Sequence, residues 1–252
     1  DGDHWVINGQ KVWSSGAAFA EWGELLARTG PPEAKHAGIT AFLLAMDTPG
    51  VEVRPIRQMT GGTSFFEVFF SDVRIPDGLR LGPVGAGWRV ALTTLGFERS
   101  HSGSSRRRPG GSFEPLAAAA RHFGRAGDPA VRQGLADLYI GATLLRLNAE
   151  RVAAAARAGH APGPEGSIGK LFWTQHMARL TAVATEVLGP RLAADTGEWG
   201  AYAWSEHVLG APGYRIAGGS DEIQRNIIAE RVLGLPAEPR VDKDVPFRDL
   251  PR

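Results

Sequence analysis

The sequence has no cysteine. That absence removes a disulfide framework, a thiolate nucleophile and any cysteine-ligated metal, and it fits a cytoplasmic protein. Charge surplus is also lacking: 28 Lys and Arg stand against 27 Asp and Glu, a net +1. There is then no overall field to draw in nucleic acid or an anionic membrane, and neither is expected as a partner. No apolar run is long enough to cross a bilayer, and the opening Asp1-Gly2-Asp3-His4-Trp5 has neither a basic nor an apolar region of the kind that directs export. The seven His residues are scattered, with no ligand spacing such as His-Glu-x-x-His, so no metal is expected. An initiator Met is missing too, and Trp5 to Trp13 reads as a strand already in progress. The chain is therefore expected to be the later part of something longer.

What is present falls into two periods. From residue 4 to about 82 the text is strand-like: His4 to Ile7, a turn expected at Asn8-Gly9, then Gln10 to Trp13. Glu24 to Arg28, Ile39 to Met46, Val51 to Arg54 and Phe65 to Phe70 follow, each short, rich in β-branched or aromatic residues and bounded by Gly, Pro or Asp. That spacing predicts an antiparallel sheet closed into a barrel or sandwich. From Gly87 the period becomes helical, over Trp88 to Arg99, Phe113 to Phe123, Ala130 to Ala158, Ser167 to Leu188 and Ser220 to Leu233. These segments are expected to pack as a bundle. The fold class is thus α+β, with a sheet domain over 1–84, a helical bundle over 85–236 and a loose tail over 237–252. Ser102 to Gly111, with three consecutive Arg, is expected to be a loop, either solvated or phosphate-binding.

The densest chemistry lies in Ile216-Ala217-Gly218-Gly219-Ser220-Asp221-Glu222-Ile223-Gln224-Arg225, where a glycine turn runs into a helix. Ser220 is placed to cap free N–H groups, and Asp221 and Glu222 complement the positive end of the helix dipole. Gly218 and Gly219 let a ligand approach bare backbone.

With that run, Asn8-Gly9-Gln10-Lys11-Val12-Trp13-Ser14-Ser15-Gly16-Ala17, Leu25-Leu26-Ala27-Arg28-Thr29, Gly82-Pro83-Val84-Gly85-Ala86-Gly87-Trp88 leading to Leu95-Gly96-Phe97-Glu98-Arg99, and Val232-Leu233-Gly234-Leu235-Pro236 closely resemble the acyl-CoA dehydrogenase family. Order and spacing match over nearly the whole chain. The resemblance implies FAD held by a middle β-barrel domain, here partial, and a C-terminal four-helix bundle. It also implies an upstream helical domain and a Thr-Glu-Pro-Gly-type loop that this sequence does not contain, so a longer polypeptide or a partner subunit is expected to complete the site. The implied reaction is α,β-dehydrogenation of an acyl-CoA thioester, with the β-hydrogen passing as hydride to flavin N5. Electrons would pass on to an electron-transfer flavoprotein or similar acceptor. The implied assembly is a homodimer, homotetramer or heteromer.

Residue by residue, the resemblance puts Trp13, Ser14 and Ser15 at the flavin ring, with Trp13 shielding a face and the Ser15 hydroxyl available to N5. Trp13 as a plain core aromatic is equally open. Gly219, Ser220 and Glu222 match cofactor contacts, and the Gly218 N–H is the donor to the thioester carbonyl. Many members carry the proton-abstracting Glu at the position occupied here by Gly218. Others place it on a helix directly before an Arg, and Glu98 matches that arrangement, with Arg99 on the substrate. Two bland readings stay open: a solvated Glu98–Arg99 pair, or Arg99 serving phosphates alone. Two other functions also stay open, a non-catalytic structural or partner subunit of a heteromeric dehydrogenase, and a flavin-dependent oxidase or monooxygenase on the same fold.

Overall fold

The computed structural model describes residues 1–101, 111–160 and 163–250; the side chains at 98–101, 201 and 202 lie outside that description. The chain divides into two compact units, Asp1–His101 with Pro239–Arg252, and Ser102–Glu238.

The first unit holds β1 (His4–Ser15), β2 (Trp22–Arg28), β3 (Ile39–Ala45), β4 (Val51–Ile56), β5 (Phe65–Pro76), β6 (Arg80–Leu81) and α1 (Gly87–His101). Its strands form two antiparallel three-stranded sheets, ordered β1-β5-β4 and β2-β3-β6. Leu25, Phe42 and Leu44 from one sheet share a core with Phe66, Val68, Phe70, Val73 and Ile75 from the other. Along β5 the buried positions run 66, 68, 70 and then 73, 75, so the inward phase shifts by one residue. A β-bulge causes the shift: Ser71 and Asp72 together oppose Asn8, between the pairs Gly9 with Phe70 and Ile7 with Val73.

That bulge corrects the expected turn at Asn8-Gly9, because β1 is one twelve-residue strand running through it. The Asn8 side chain spans the irregularity, its Oδ1 accepting from the Asp72 N–H (2.8 Å) and its Nδ2 donating to Asp72 Oδ1 (2.9 Å). A local Asn-Gly turn preference yields here to pairing along a long neighbouring strand.

Helix α1 starts against the second sheet. A Cβ on Gly87 would stand 2.6 Å from the Thr40 carbonyl carbon, so only glycine permits the approach. Thr40 Oγ1 accepts from the Gly85 N–H (3.0 Å), and the His36 ring stacks on Trp88 at 4.3 Å. The expected loose tail is instead held to this unit. Phe247 and Arg248 donate backbone N–H groups to Glu33 and Pro32 carbonyls, and the Arg28 guanidinium lies 3.6 Å over the Phe247 ring.

The second unit is helical: α2 (Phe113–His122), α3 (Pro129–Arg157), α4 (Gly166–Leu188), α5 (Ala201–Tyr214) and α6 (Asp221–Ile227), the last continuing as a π-turn over Ile228–Val232. Leu116 and Ala120 of α2, Val131 and Leu138 of α3, Leu180, Ala184 and Val187 of α4, and Trp204 of α5 meet in one core. Helices α3 and α4 approach closely along a seam of small residues. A Cβ on Gly134 would meet Val183, one on Gly141 would meet His176 and one on Gly169 would meet Asn148, all at 3.0 Å or less. Those pairs step by seven residues in opposite directions, the register of an antiparallel helix pair with a heptad contact. Helix α5 is absent from the sequence expectation. Its last turn carries Gly210, Pro212 and Gly213, which read locally as a break, while Trp204, Ser205, His207 and Ala211 are buried.

Candidate active site

The expected site residues fall into two local groups, one in each unit, plus Glu98 and Arg99. The last two lie on α1, and their side chains are outside the described residues. So is the expected basic loop, except for Gly111.

In the first unit Trp13, Ser14 and Ser15 close strand β1. A second bulge sits here: Val12 and Trp13 together oppose Glu67, between the pairs Lys11 with Val68 and Ser14 with Phe66. Trp13 takes φ 62°, a left-handed conformation that a bulky side chain rarely adopts. Its indole is 62% exposed, supported edge-on by Phe65 at 6.0 Å. A backbone strain of roughly 1–3 kcal/mol is thus spent on turning a large aromatic outward, the reverse of what core packing requires. Ser15 is exposed beside it and Ser14 half-buried.

In the second unit the turn 216–220 leads into α6. Gly218 and Gly219 have φ 67° and 90°, which glycine adopts without strain. A Cβ at Gly218 would meet nothing within 4 Å, so the backbone there is open to a ligand. The Ser220 Oγ accepts from the Ile223 N–H at 3.4 Å, the cap read from the sequence. The Glu222 carboxyl lies below its ordinary range, first through its own backbone N–H and then through the Ser220 hydroxyl.

Behind the turn lies a group of residues that the sequence reading had not brought together. Asp221, only 1% exposed, receives Arg215 Nε (2.8 Å) on one oxygen and Thr174 Oγ1 (2.7 Å) and Lys170 Nζ (3.3 Å) on the other. Burial pushes this carboxyl up, but the hydrogen bonds from Arg215, Thr174 and Lys170 outweigh it and hold it below the usual range. One turn further on, the buried Gln224 amide donates to the Gly218 and Gly219 carbonyls at 3.0 and 3.3 Å. Helix α6 is inverted: its polar Asp221 and Gln224 face inward, while Ile223 is half exposed. The available signal was the i, i+3 spacing of Asp221 and Gln224, matched by the i, i+4 spacing of Lys170 and Thr174 on α4.

Among the described residues no cluster of three or more His, Asp or Glu is arranged to hold a metal ion. No described helix is long and apolar enough to cross a membrane.

Comparison with known proteins gives the site its context. The family model for the acyl-CoA dehydrogenase C-terminal domain matches residues 85–233, and that for the acyl-CoA dehydrogenase middle domain matches residues 1–73. The chain is 42% identical to the acyl-CoA dehydrogenase IpdE1 of Mycolicibacterium smegmatis, over 93% of this chain and 59% of that protein. It is likewise 42% identical to IpdE1 of Mycobacterium tuberculosis, over 94% of this chain and 61% of that protein. The chain therefore spans about three-fifths of the length of these curated relatives. Among solved structures it superposes on the Tcur3481-Tcur3483 steroid ACAD with a TM-score of 0.81 and 26% identity, covering 94% of this chain and 62% of that one. It also superposes on the ChsE4-ChsE5 complex from Mycobacterium tuberculosis with a TM-score of 0.75 and 27% identity, covering 94% and 63%. By sequence and by fold, this chain belongs to the acyl-CoA dehydrogenase family.

Proposed function

We propose that this chain supplies the middle and C-terminal domains of an FAD-dependent acyl-CoA dehydrogenase acting on the α,β C–C bond of a thioester. The observation that carries the reading is the 42% identity to named acyl-CoA dehydrogenases along 93% of the chain. The two local groups support it. An outward-facing indole beside a serine pair suits a flat aromatic ring system, and an open glycine turn suits a carbonyl oxygen seeking backbone donors.

In this reading Glu98 takes the α-proton onto its carboxylate while the Gly218 N–H stabilises negative charge building on the thioester oxygen. Arg99 binds the substrate. Trp13, Ser14 and Ser15 hold the ring end of the cofactor, and Gly219, Ser220 and Glu222 hold it further along. When bound, FAD supplies the two-electron acceptor that takes the β-hydrogen as hydride. The substrate class we favour is a bulky, ring-containing acyl-CoA, on the strength of the steroid ACAD among the structural neighbours. Reoxidation falls to an electron-transfer flavoprotein or similar acceptor.

A second reading, a subunit completed by a different chain, is favoured by the two-component ChsE4-ChsE5 neighbour. The test covers both. The intact polypeptide is purified alone and after co-expression with its genomic neighbours, then titrated anaerobically with straight-chain and steroid-derived acyl-CoAs. A yellow protein bleached by an acyl-CoA is expected. Replacement of Glu98→Gln should keep the colour while slowing bleaching by about 100- to 10,000-fold. A colourless product in every combination, or undiminished bleaching by E98Q, removes the reading or the base respectively.

A further inference from the structure

The buried polar group behind the glycine turn does work that the fold alone does not require. A carboxylate buried among two cations and a hydroxyl gives little or no net stability over a well-packed apolar residue, because desolvation offsets the attraction. What an apolar residue cannot do is tie positions 215 and 221 together. Asp221 does so twice: its N–H donates to the Arg215 carbonyl at 3.0 Å, and its carboxylate accepts from Arg215 Nε at 2.8 Å. Lys170 and Thr174 fix that carboxylate to α4, so the base of the turn is referenced to the bundle core.

The apex is gripped separately. Gln224 draws the Gly218 and Gly219 carbonyls inward with one amide nitrogen. In a planar trans peptide the C=O and the following N–H point in opposite directions. Two carbonyls held by Gln224 therefore turn the Gly219 and Ser220 N–H groups away from it. Closing the turn at its base and pulling its apex inward leaves a short run of backbone donors with one orientation.

We infer that Asp221 and Gln224 are positioning residues, which pin the 216–220 turn from its base and its apex so that its backbone, the Gly218 N–H included, is held in one conformation before substrate arrives. This rests on the dehydrogenase reading for its catalytic consequence, but not for the clamp itself. The clamp predicts a loss confined to rate, since preorganised donors act on charge that develops in the transition state, and misplacement near 1 Å costs about 100-fold.

The experiment uses the intact holoprotein with ¹⁵N-labelled glycine and serine, comparing wild type with D221N and Q224M. Q224M keeps the ion cluster and so guards against a D221N protein that fails to fold. Backbone order parameters at Gly218, Gly219 and Ser220 are expected to fall from about 0.85 to below about 0.6 while those of α3 stay unchanged. With the acyl-CoA that bleaches wild type fastest, kcat should fall about 10- to 100-fold and KM should change less than about threefold. Unchanged order parameters in a folded Q224M protein overturn the clamp. A loosened turn with kcat intact, or a loss carried by KM, overturns its catalytic role. A wild-type protein that no acyl-CoA bleaches overturns the dehydrogenase reading and that role with it, while the order parameters still decide the clamp.

Discussion

Trp13 in the sheet unit and Gly218-Gly219 in the helical unit hold similar left-handed backbone, φ 62° against 67° and 90°, by opposite means. At Trp13 the conformation is imposed on a residue that resists it, through an extra residue in β1 and two flanking pairs with β5. At the glycines it is intrinsically permitted, and selection among the many conformations open to glycine falls to buried side chains, Asp221 and Gln224. The first turn carries strain and almost no burial. The second is exposed as well, but it rests on two buried side chains and carries almost no strain. A strained turn is over-determined by its sheet and aims a side chain, whereas a permissive turn is freely chosen by its clamp and aims backbone.

The largest expected separation of the two comes from Asp221→Ala. Lys170, with a side chain only 18% exposed, would lose its carboxylate, and breaking such a buried pair costs about 3–5 kcal/mol. Chemical denaturation of the intact protein should show that loss in the helical unit alone, with near-ultraviolet signals from the sheet unit unmoved. Next in size is Gly219→Val. Besides the disfavoured φ, a Cβ would stand 2.7 Å from Gln224 Nε2, and a cost of about 2–3 kcal/mol is expected by the same measurement.

Acid should divide the turns as well, because Trp13, Ser14 and Ser15 carry no titratable group. The folded Asp221 carboxyl is held below its ordinary range, so its contribution is present above the unfolded value near 3.9 and is lost as pH falls through the lower folded value. His176, whose Nδ1 is buried against Gly141 and has no hydrogen-bond partner among the described residues, adds an earlier slope. Burial, and then the Arg179 charge, hold its pKa down. Its neutral form therefore supports the fold above about 6.5, and that support is lost as pH falls through the lower folded value. Melting temperature against pH should show both slopes in wild type. In D221N the lower slope should shrink, the remainder coming from other carboxylates held low by their partners, Asp77 at about 2 and Glu222 among them, and the His176 slope should remain; an undiminished lower slope would show that Asp221 contributes none of it.

The comparison also explains how far the sequence could be read. Strands β2 to β5 and helices α1 to α4 are legible through the spacing of apolar residues and turn formers along each, a property of neighbouring residues. The 216–222 run was legible as a turn and cap because Gly, Gly and Ser each act on backbone within three residues. Asp221 reads locally as a complement to the helix dipole and not as part of a buried cluster, since its partners Lys170 and Thr174 lie 51 and 47 positions away. Asn8-Gly9 failed similarly: its true partner, Asp72, is 64 positions distant, and pairing with β5 outweighed the local turn signal. Helix α5 was concealed by the reverse effect, local breakers overridden by the burial of Trp204 and Ala211.

The smallest effect tests the strained side of the comparison. Trp13→Gly removes an exposed side chain in edge-on ring contact with Phe65 and frees a backbone that already sits where glycine is comfortable. Relief of the left-handed conformation is worth about 1–2 kcal/mol, offset by the lost ring contact of about 0.5–1.5 kcal/mol and by the entropy glycine adds to the unfolded chain. The net change in denaturation midpoint should thus be close to zero. Flavin retention through gel filtration should nevertheless fall if the indole serves the cofactor as proposed. A variant that loses stability sharply and keeps its flavin would instead make Trp13 a packing residue, and the bulge would then have no functional reason to carry strain.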